Sequence, residues 1–238
     1  MRIYHTISQD IKFQFKYGFY FIYAVMILFY IVVTGLLPEA WKSNATAIII
    51  FMDPAGLGFF FIGGILLLER NERVLDALFV SPLEVWEYVL SKAGSLGVIS
   101  VMVGIILTLI GKGFAANLPM LVLSLFAGSA FFTFAGIITG IKARTINQYM
   151  VITLPAEVVL SIPPVLLLAG VHSLFLEIMP TSLALRLIQY CTGDYQAAYP
   201  LLMLAGLALW SVPAFYLALG RMKWFLSKIG GEEYAAGN

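Results

Sequence analysis

LLLERNERVLDALFVSPLEVWEYVLSK, residues 66 to 92, holds eight of the 27 charged side chains in this chain: Glu69, Arg70, Glu72, Arg73, Asp76, Glu84, Glu87 and Lys92. On either side the sequence runs apolar for roughly twenty residues, the length a helix needs to cross a bilayer core. A block of charge between two such runs reads as a loop outside a membrane, and the rest of the chain organises itself around that reading.

The composition agrees. Of 238 residues, 61% are hydrophobic and 11% charged, against about 45–50% and 25% in soluble domains. Six apolar stretches can be counted as transmembrane helices, over residues 18–37, 46–68, 93–111, 119–141, 148–170 and 201–221. The fold class that follows is all-α and polytopic. No linker or repeat divides the chain, so residues 1–238 read as one transmembrane domain. An even number of spans puts both termini on one side. Eleven of the 14 Lys and Arg fall on that side, leaving Lys42, Lys112 and Arg186 opposite, so the termini are expected in the cytoplasm of a multi-pass plasma (or inner) membrane protein. The first span lacks a small-x-small cleavage pattern and reads as a retained anchor. Cys191 is the only cysteine and can form no intrachain disulfide. A net charge of +1 without a basic run argues against nucleic acid as a partner.

Within the opening stretch Val74, Leu75, Leu78 and Phe79 recur at helical spacing, with Arg70, Arg73 and Asp76 elsewhere on the wheel, which predicts a short amphipathic helix. Pro82 ends it. Ser81, Pro82 and Glu84 then read as N-cap, first helical residue and N3 of a second helix, whose apolar positions Leu83, Trp86, Val89, Leu90 and Ala93 lead into span three. One reading is an elbow resting on lipid headgroups. Five acids among the eight charges suit an anionic leaflet poorly, and a protein partner suits them better. Ahead of span one, Ile3, Ile7, Ile11 and Phe15 are spaced by four with Lys12 and Lys16 on another face, which predicts an amphipathic helix along the membrane surface.

The run ERNERVLDALFVSPLEVWEYVLSK resembles the cytoplasmic signature of ABC-2 type permeases. Charges precede a Leu-rich helix, a Ser-Pro step and a Lys before span three, although Val74 stands where the family usually has Gly. The whole chain most resembles the small drug-export permeases of the fluoroquinolone-export type. The resemblance implies that residues 69 to 83 form a coupling helix that docks on a separate ABC ATP-binding subunit, with Glu69, Arg70, Arg73, Leu75, Leu78, Phe79, Ser81 and Pro82 as its contact set. It also implies an N-terminal connecting helix beside that subunit and a second permease chain, either a copy or a relative. Substrates of this family are small molecules, hydrophobic or amphipathic, moved in multidrug efflux.

The chain itself offers no catalytic constellation and reads as a transport subunit, not an enzyme. Its only Gly-Lys, in GKGF, is no phosphate loop. By the resemblance, ATP and Mg belong to the partner, with no cofactor or metal in this chain. His5 and His172 fall on opposite sides of the membrane, too far apart for a metal pair.

Two acids lie inside spans, Asp53 in span two and Glu157 near the middle of span five, with Pro54, Pro155 and Pro163-Pro164 beside them. Charge there is costly and faces a cavity or a partner. Each has two readings: a place on the translocation path or a proton site, against an interfacial cap for Asp53 and a structural pairing for Glu157. GIITG, residues 136–140, permits close helix packing. Some thirty residues between spans five and six, broken at Pro180, predict two short helices at the outer surface, with Glu177, Arg186 and Asp194 as a mixed-charge cluster. By the resemblance they close an outer gate.

The expectation is the membrane subunit of an ATP-driven exporter of small molecules such as drugs. A haem- or lipid-handling permease stands beside it within the class. Outside the class stands an ion-coupled secondary transporter or channel using Asp53 and Glu157, which leaves the charged loop unexplained. A plain membrane anchor would explain neither buried acid.

Overall fold

The computed structural model describes residues 2–52, 56–72, 74, 83–112 and 117–236, and the regular elements among them are all helical. They are α1 (Arg2–Lys16), α2 (Phe19–Leu36), α3 (Glu39–Ile50), α4 (Leu57–Asn71), α5 (Val85–Lys112), α6 (Leu118–Gly140), α7 (Ile146–Leu168), α8 (Leu174–Ile178), α9 (Pro180–Thr192) and α10 (Pro200–Ala236). Five of them, α2, α5, α6, α7 and α10, are long and apolar enough to cross a membrane. They coincide with the expected spans one, three, four, five and six.

The second apolar stretch, expected as one helix over 46–68, is described in two pieces: α3 runs for 12 residues to Ile50 and passes into a π turn at residues 51–52, and α4 runs for 15 residues from Leu57. The intervening sequence contains Asp53-Pro54, and a proline both lacks an amide donor and disfavours helix at the residue before it. Asp53 itself lies outside the described residues.

Local chemistry sets the other boundaries. Gly18, at φ 77°, takes the left-handed turn between α1 and α2. The Asn117 side chain accepts the Met120 amide at 3.3 Å to cap α6, and the Thr145 hydroxyl accepts the Gln148 amide at 3.2 Å to cap α7. At the start of α5 the Glu87 carboxylate accepts the Glu84 amide at 3.0 Å, the reach-back half of a capping box. That box sits three residues beyond the one expected from Ser81 and Glu84, and Ser81 lies outside the described residues.

Helices α5 and α6 form the centre, with α4 and α10 packed on α6 and α1 on α5. One end of the bundle carries α1, the last turn of α4, the first turns of α5 and the α6–α7 junction. There α10 closes on them: Arg70 stands over the Phe225 ring at 5.4 Å, and Lys142 and Lys228 over Trp224 at 4.8 and 5.0 Å. At the opposite end the Asn117 amide donates to the Cys191 carbonyl at 3.1 Å.

The segment between α7 and α10 forms two short helices on either side of the step into Pro180, as expected. Helix α8 is five residues with none buried, as a surface helix should be. Helix α9, expected beside it, is inside: of its 13 residues all but Arg186 and Tyr190 are buried, against α3, α6, α7 and α10.

Candidate functional site

Lys92, on the second turn of α5, is 1% exposed. Its ammonium donates to Asp10 Oδ1 of α1 at 2.6 Å and to the Glu69 carboxylate at the end of α4. The Tyr88 hydroxyl, one turn before Lys92 on the same face of α5, donates to the other oxygen of Glu69, and the Tyr88 ring lies 4.8 Å from the ammonium. A fifth side chain, Gln14, sits one turn after Asp10 and donates to Ser95 Oγ at 2.9 Å. Three elements, α1, α4 and α5, are thus tied by one buried cation.

Burying three charges costs several kcal/mol per ion, and the attraction between them offsets this only where geometry and hydrogen bonds are good. Here two acceptors, Asp10 Oδ2 and Gln14 Oε1, are buried with no partner among the described residues. A cluster so arranged adds little net stability. What it supplies is position, because removing any one member strands the others.

A second tie lies just outside the first. The Tyr17 hydroxyl at the α1–α2 corner donates to Glu72, and that hydrogen bond raises the phenol above its usual range. Trp86 Nε1 donates to Glu84 at 2.7 Å at the other root of the loop. Of the expected contact set, then, Glu69 is a buried strut and Arg70 a half-buried cation on Phe225. Arg73, Leu75, Leu78, Phe79, Ser81 and Pro82 lie outside the described residues.

The sequence reading lays α1 along the membrane surface on the stripe Ile3, Ile7, Ile11 and Phe15; Phe15 is 73% exposed on the protein, and the residues of α1 buried against the bundle are Asp10 and Gln14. Lys92 is the reason: a buried ammonium draws a polar face onto itself. Asp10, Gln14 and Tyr88 were not singled out from the sequence. The available signals were that Asp10 is the only acid in the first sixteen residues and Lys92 the only cation between Val85 and Gly111.

Glu157 sits half-buried on α7, lining an open groove of about 440 Å³ with Met52, Ser161 and Val165. Only 17% of the membrane-length part of this helix is buried. Tyr149 holds it. The Tyr149 hydroxyl donates to the Phe59 carbonyl of α4, and its ring fills a slot between two glycines: a Cβ on Gly63 would stand 2.1 Å from the ring, and one on Gly140 only 1.8 Å. Gly136, the other glycine of GIITG, admits α4 as well, since a Cβ there would lie 2.6 Å from the Phe59 carbonyl oxygen. The motif therefore does pack helices closely, α6 against α4 and the Tyr149 ring of α7.

At the far end the three expected charges each have a neighbour. Glu177 lies 3.8 Å from His172, Arg186 donates to Gln189 at 3.4 Å and covers the Tyr195 ring at 4.5 Å, and Asp194 accepts from Thr192 at 2.8 Å.

Comparison with known proteins gives the chain its relatives. The sequence model of the fluoroquinolones export permease protein family matches residues 1–218. Two fluoroquinolones export permease proteins of Mycobacterium tuberculosis, from strains CDC 1551 / Oshkosh and ATCC 25618 / H37Rv, are each 25% identical over 181 residues, covering 72% of this chain and 76% of the relative. The chain belongs to the fluoroquinolones export permease family and is a multi-pass membrane protein.

Proposed function

We propose that this chain is the permease subunit of an ATP-driven exporter that moves a hydrophobic or amphipathic small molecule out of the cell. ATP and Mg are handled by a separate ATP-binding subunit that docks on residues 69–83, and both chain termini lie on its side of the plasma membrane. The family and the names of its relatives support export of small drugs, and make a fluoroquinolone the first compound to try.

The observation that carries the coupling role is the tie among Asp10, Glu69 and Lys92. A partner that displaces the loop cannot move α4 alone. Because the ammonium is held from three elements, the push is shared with α5, which runs through the centre of the bundle, and with α1. A second permease chain fits the exposed groove at Glu157, since a carboxylate on a membrane-length helix is costly against lipid and is tolerated at a polar path between two subunits.

The test is at the loop. Leu78→Ala and Phe79→Ala each remove an apolar anchor, worth more than ~2 kcal/mol at the centre of such an interface. Loss of the ATP-binding subunit on purification, or hydrolysis that no longer responds to substrate, is the expected result. Association and stimulated hydrolysis at wild-type levels would overturn the proposal.

Glu157 keeps one second reading in play, a carrier driven by an ion gradient. Proteoliposomes holding this chain alone distinguish the two: uptake driven by a proton gradient, with no ATP-binding subunit present, favours the carrier. Sidedness is tested in a Cys191→Ser background with single cysteines at Asn71 and Ser173. In intact cells an impermeant maleimide should label position 173 and spare position 71.

A further inference from the structure

A second cavity, about 470 Å³, lies away from Glu157 between α6, α7, α9 and α10. Its walls are almost wholly apolar, with Phe131, Phe175 and Trp210 presenting ring surface. Pro163 of α7 and Pro213 of α10 lie in the two long walls, where each lacks the amide that would continue the helical hydrogen-bond ladder. The volume is that of a site for a drug-sized molecule.

One end of this cavity is different. Helix α9 begins there, deep in the bundle, with Met179 at its cap and Pro180 in its first turn. Methionine cannot accept from the first amides, and no side chain caps them. The Leu183 amide closes onto the Met179 carbonyl at 2.9 Å, leaving the amides of Thr181 and Ser182 at the open helix start. Thr181, 1% exposed, lines the cavity and its hydroxyl meets no partner among the described residues. The Ser182 hydroxyl behind it is also buried without a partner. Trp210, by contrast, is already committed, its indole N–H donating to the Ile178 carbonyl at 3.0 Å.

The cavity thus combines apolar walls with a cluster of donors that have nothing to donate to. An occupant made only of hydrocarbon would leave those donors stranded, and a strongly hydrated one would not enter. We propose that this cavity binds an apolar, ring-bearing small molecule through an acceptor group, a carboxylate or carbonyl, seated on Thr181 and the start of α9. The site deepens the export reading and rests on it for its role, as a place for the exported molecule, while binding itself requires neither an ATP-binding subunit nor transport.

Binding is measured on the purified full chain by energy transfer from tryptophan to anthracene-2-carboxylate, with 2-methylanthracene as the partner probe lacking the acceptor. Wild-type protein should bind the acid, and Trp210→Phe should remove most of the transfer. Ala135→Leu, which fills the cavity from its half-buried wall, should weaken both probes at least tenfold. Thr181→Val, nearly isosteric, should weaken the acid about fivefold and leave the hydrocarbon unchanged. Should Ala135→Leu fail to fold, Val159→Phe fills the same space from its exposed rim. Unchanged affinity in the filled variants, or equal loss of both probes in Thr181→Val, would overturn the proposal. Native mass spectrometry adds a further arm: a phospholipid retained by the wild type and lost from Ala135→Leu would mean that lipid is the occupant, and would overturn it too. Because binding is read on the chain alone, its failure leaves the export reading standing, and the reverse holds.

Discussion

Helices α2 and α5 are equally apolar and both reach membrane length, yet 11% of the one is buried in the bundle and 61% of the other. The difference lies in which residues interrupt the apolar background. Helix α5 carries Ser91, Gly94, Ser95, Gly97, Ser100, Gly104 and Thr108, all buried, and small residues of this kind let neighbouring backbones approach. Helix α2 is filled with aromatic and branched side chains, of which only Phe19 and Tyr23 are buried. In lipid, unlike water, hydrophobicity does not sort residues into a core; size and hydrogen bonding do. The polar tie at Lys92 belongs to the buried helix for the same reason, and Glu157 belongs to an exposed one, α7.

The comparison breaks most visibly at Lys92. Lys92→Met should strand Asp10 and Glu69 in the interior at about 3–5 kcal/mol, the usual cost of removing one partner of a buried pair. A sharp fall in folded yield and in the melting temperature of the purified chain is expected. The triple change Asp10→Asn, Glu69→Gln, Lys92→Met should recover much of that stability. If it does so and still fails to couple, the cluster's contribution is position; a stable, fully coupled single mutant would show that burial alone defines α5.

Next in size is the slot that anchors α7. Gly140→Ala would place a methyl group 1.8 Å from the Tyr149 ring, and overpacking of this kind costs about 1–3 kcal/mol. Tyr149→Phe removes the hydrogen bond to Phe59, for about 1 kcal/mol. Thermal unfolding of the two variants should rank them in that order. The reverse order would mean that the ring moves freely out of its slot.

Glu157→Gln should barely move the melting temperature, because its helix owes little to the interior, but should reduce export in a drug-accumulation assay. A loss of yield with normal export would instead make Glu157 a structural pair. The mildest effect is chemical. Burial pushes the Cys191 thiol of α9 up to about 12, so it stays protonated and unreactive throughout pH 7 to 9, since the thiolate is the nucleophile. Maleimide should modify it only after unfolding, and a label taken up by the native chain would place α9 at the surface, where the sequence had put it.

The amino-acid sequence by itself determined that the chain is helical and embedded in a membrane, where five of its spans lie, and which loop carries the charge. Each of these is a property of a contiguous run: about twenty apolar residues, a proline, a capping pair. The loop also carried the resemblance to a permease family that the relatives bear out. Only the tertiary structure decided what meets what. Asp10 reaches Lys92 across 82 positions, Tyr149 reaches Phe59 across 90, and α9 turns inward although its sequence reads as a surface helix. No local window contains such pairs. They arise because buried charges must find partners and small residues must find neighbours, and both searches run over the whole folded chain.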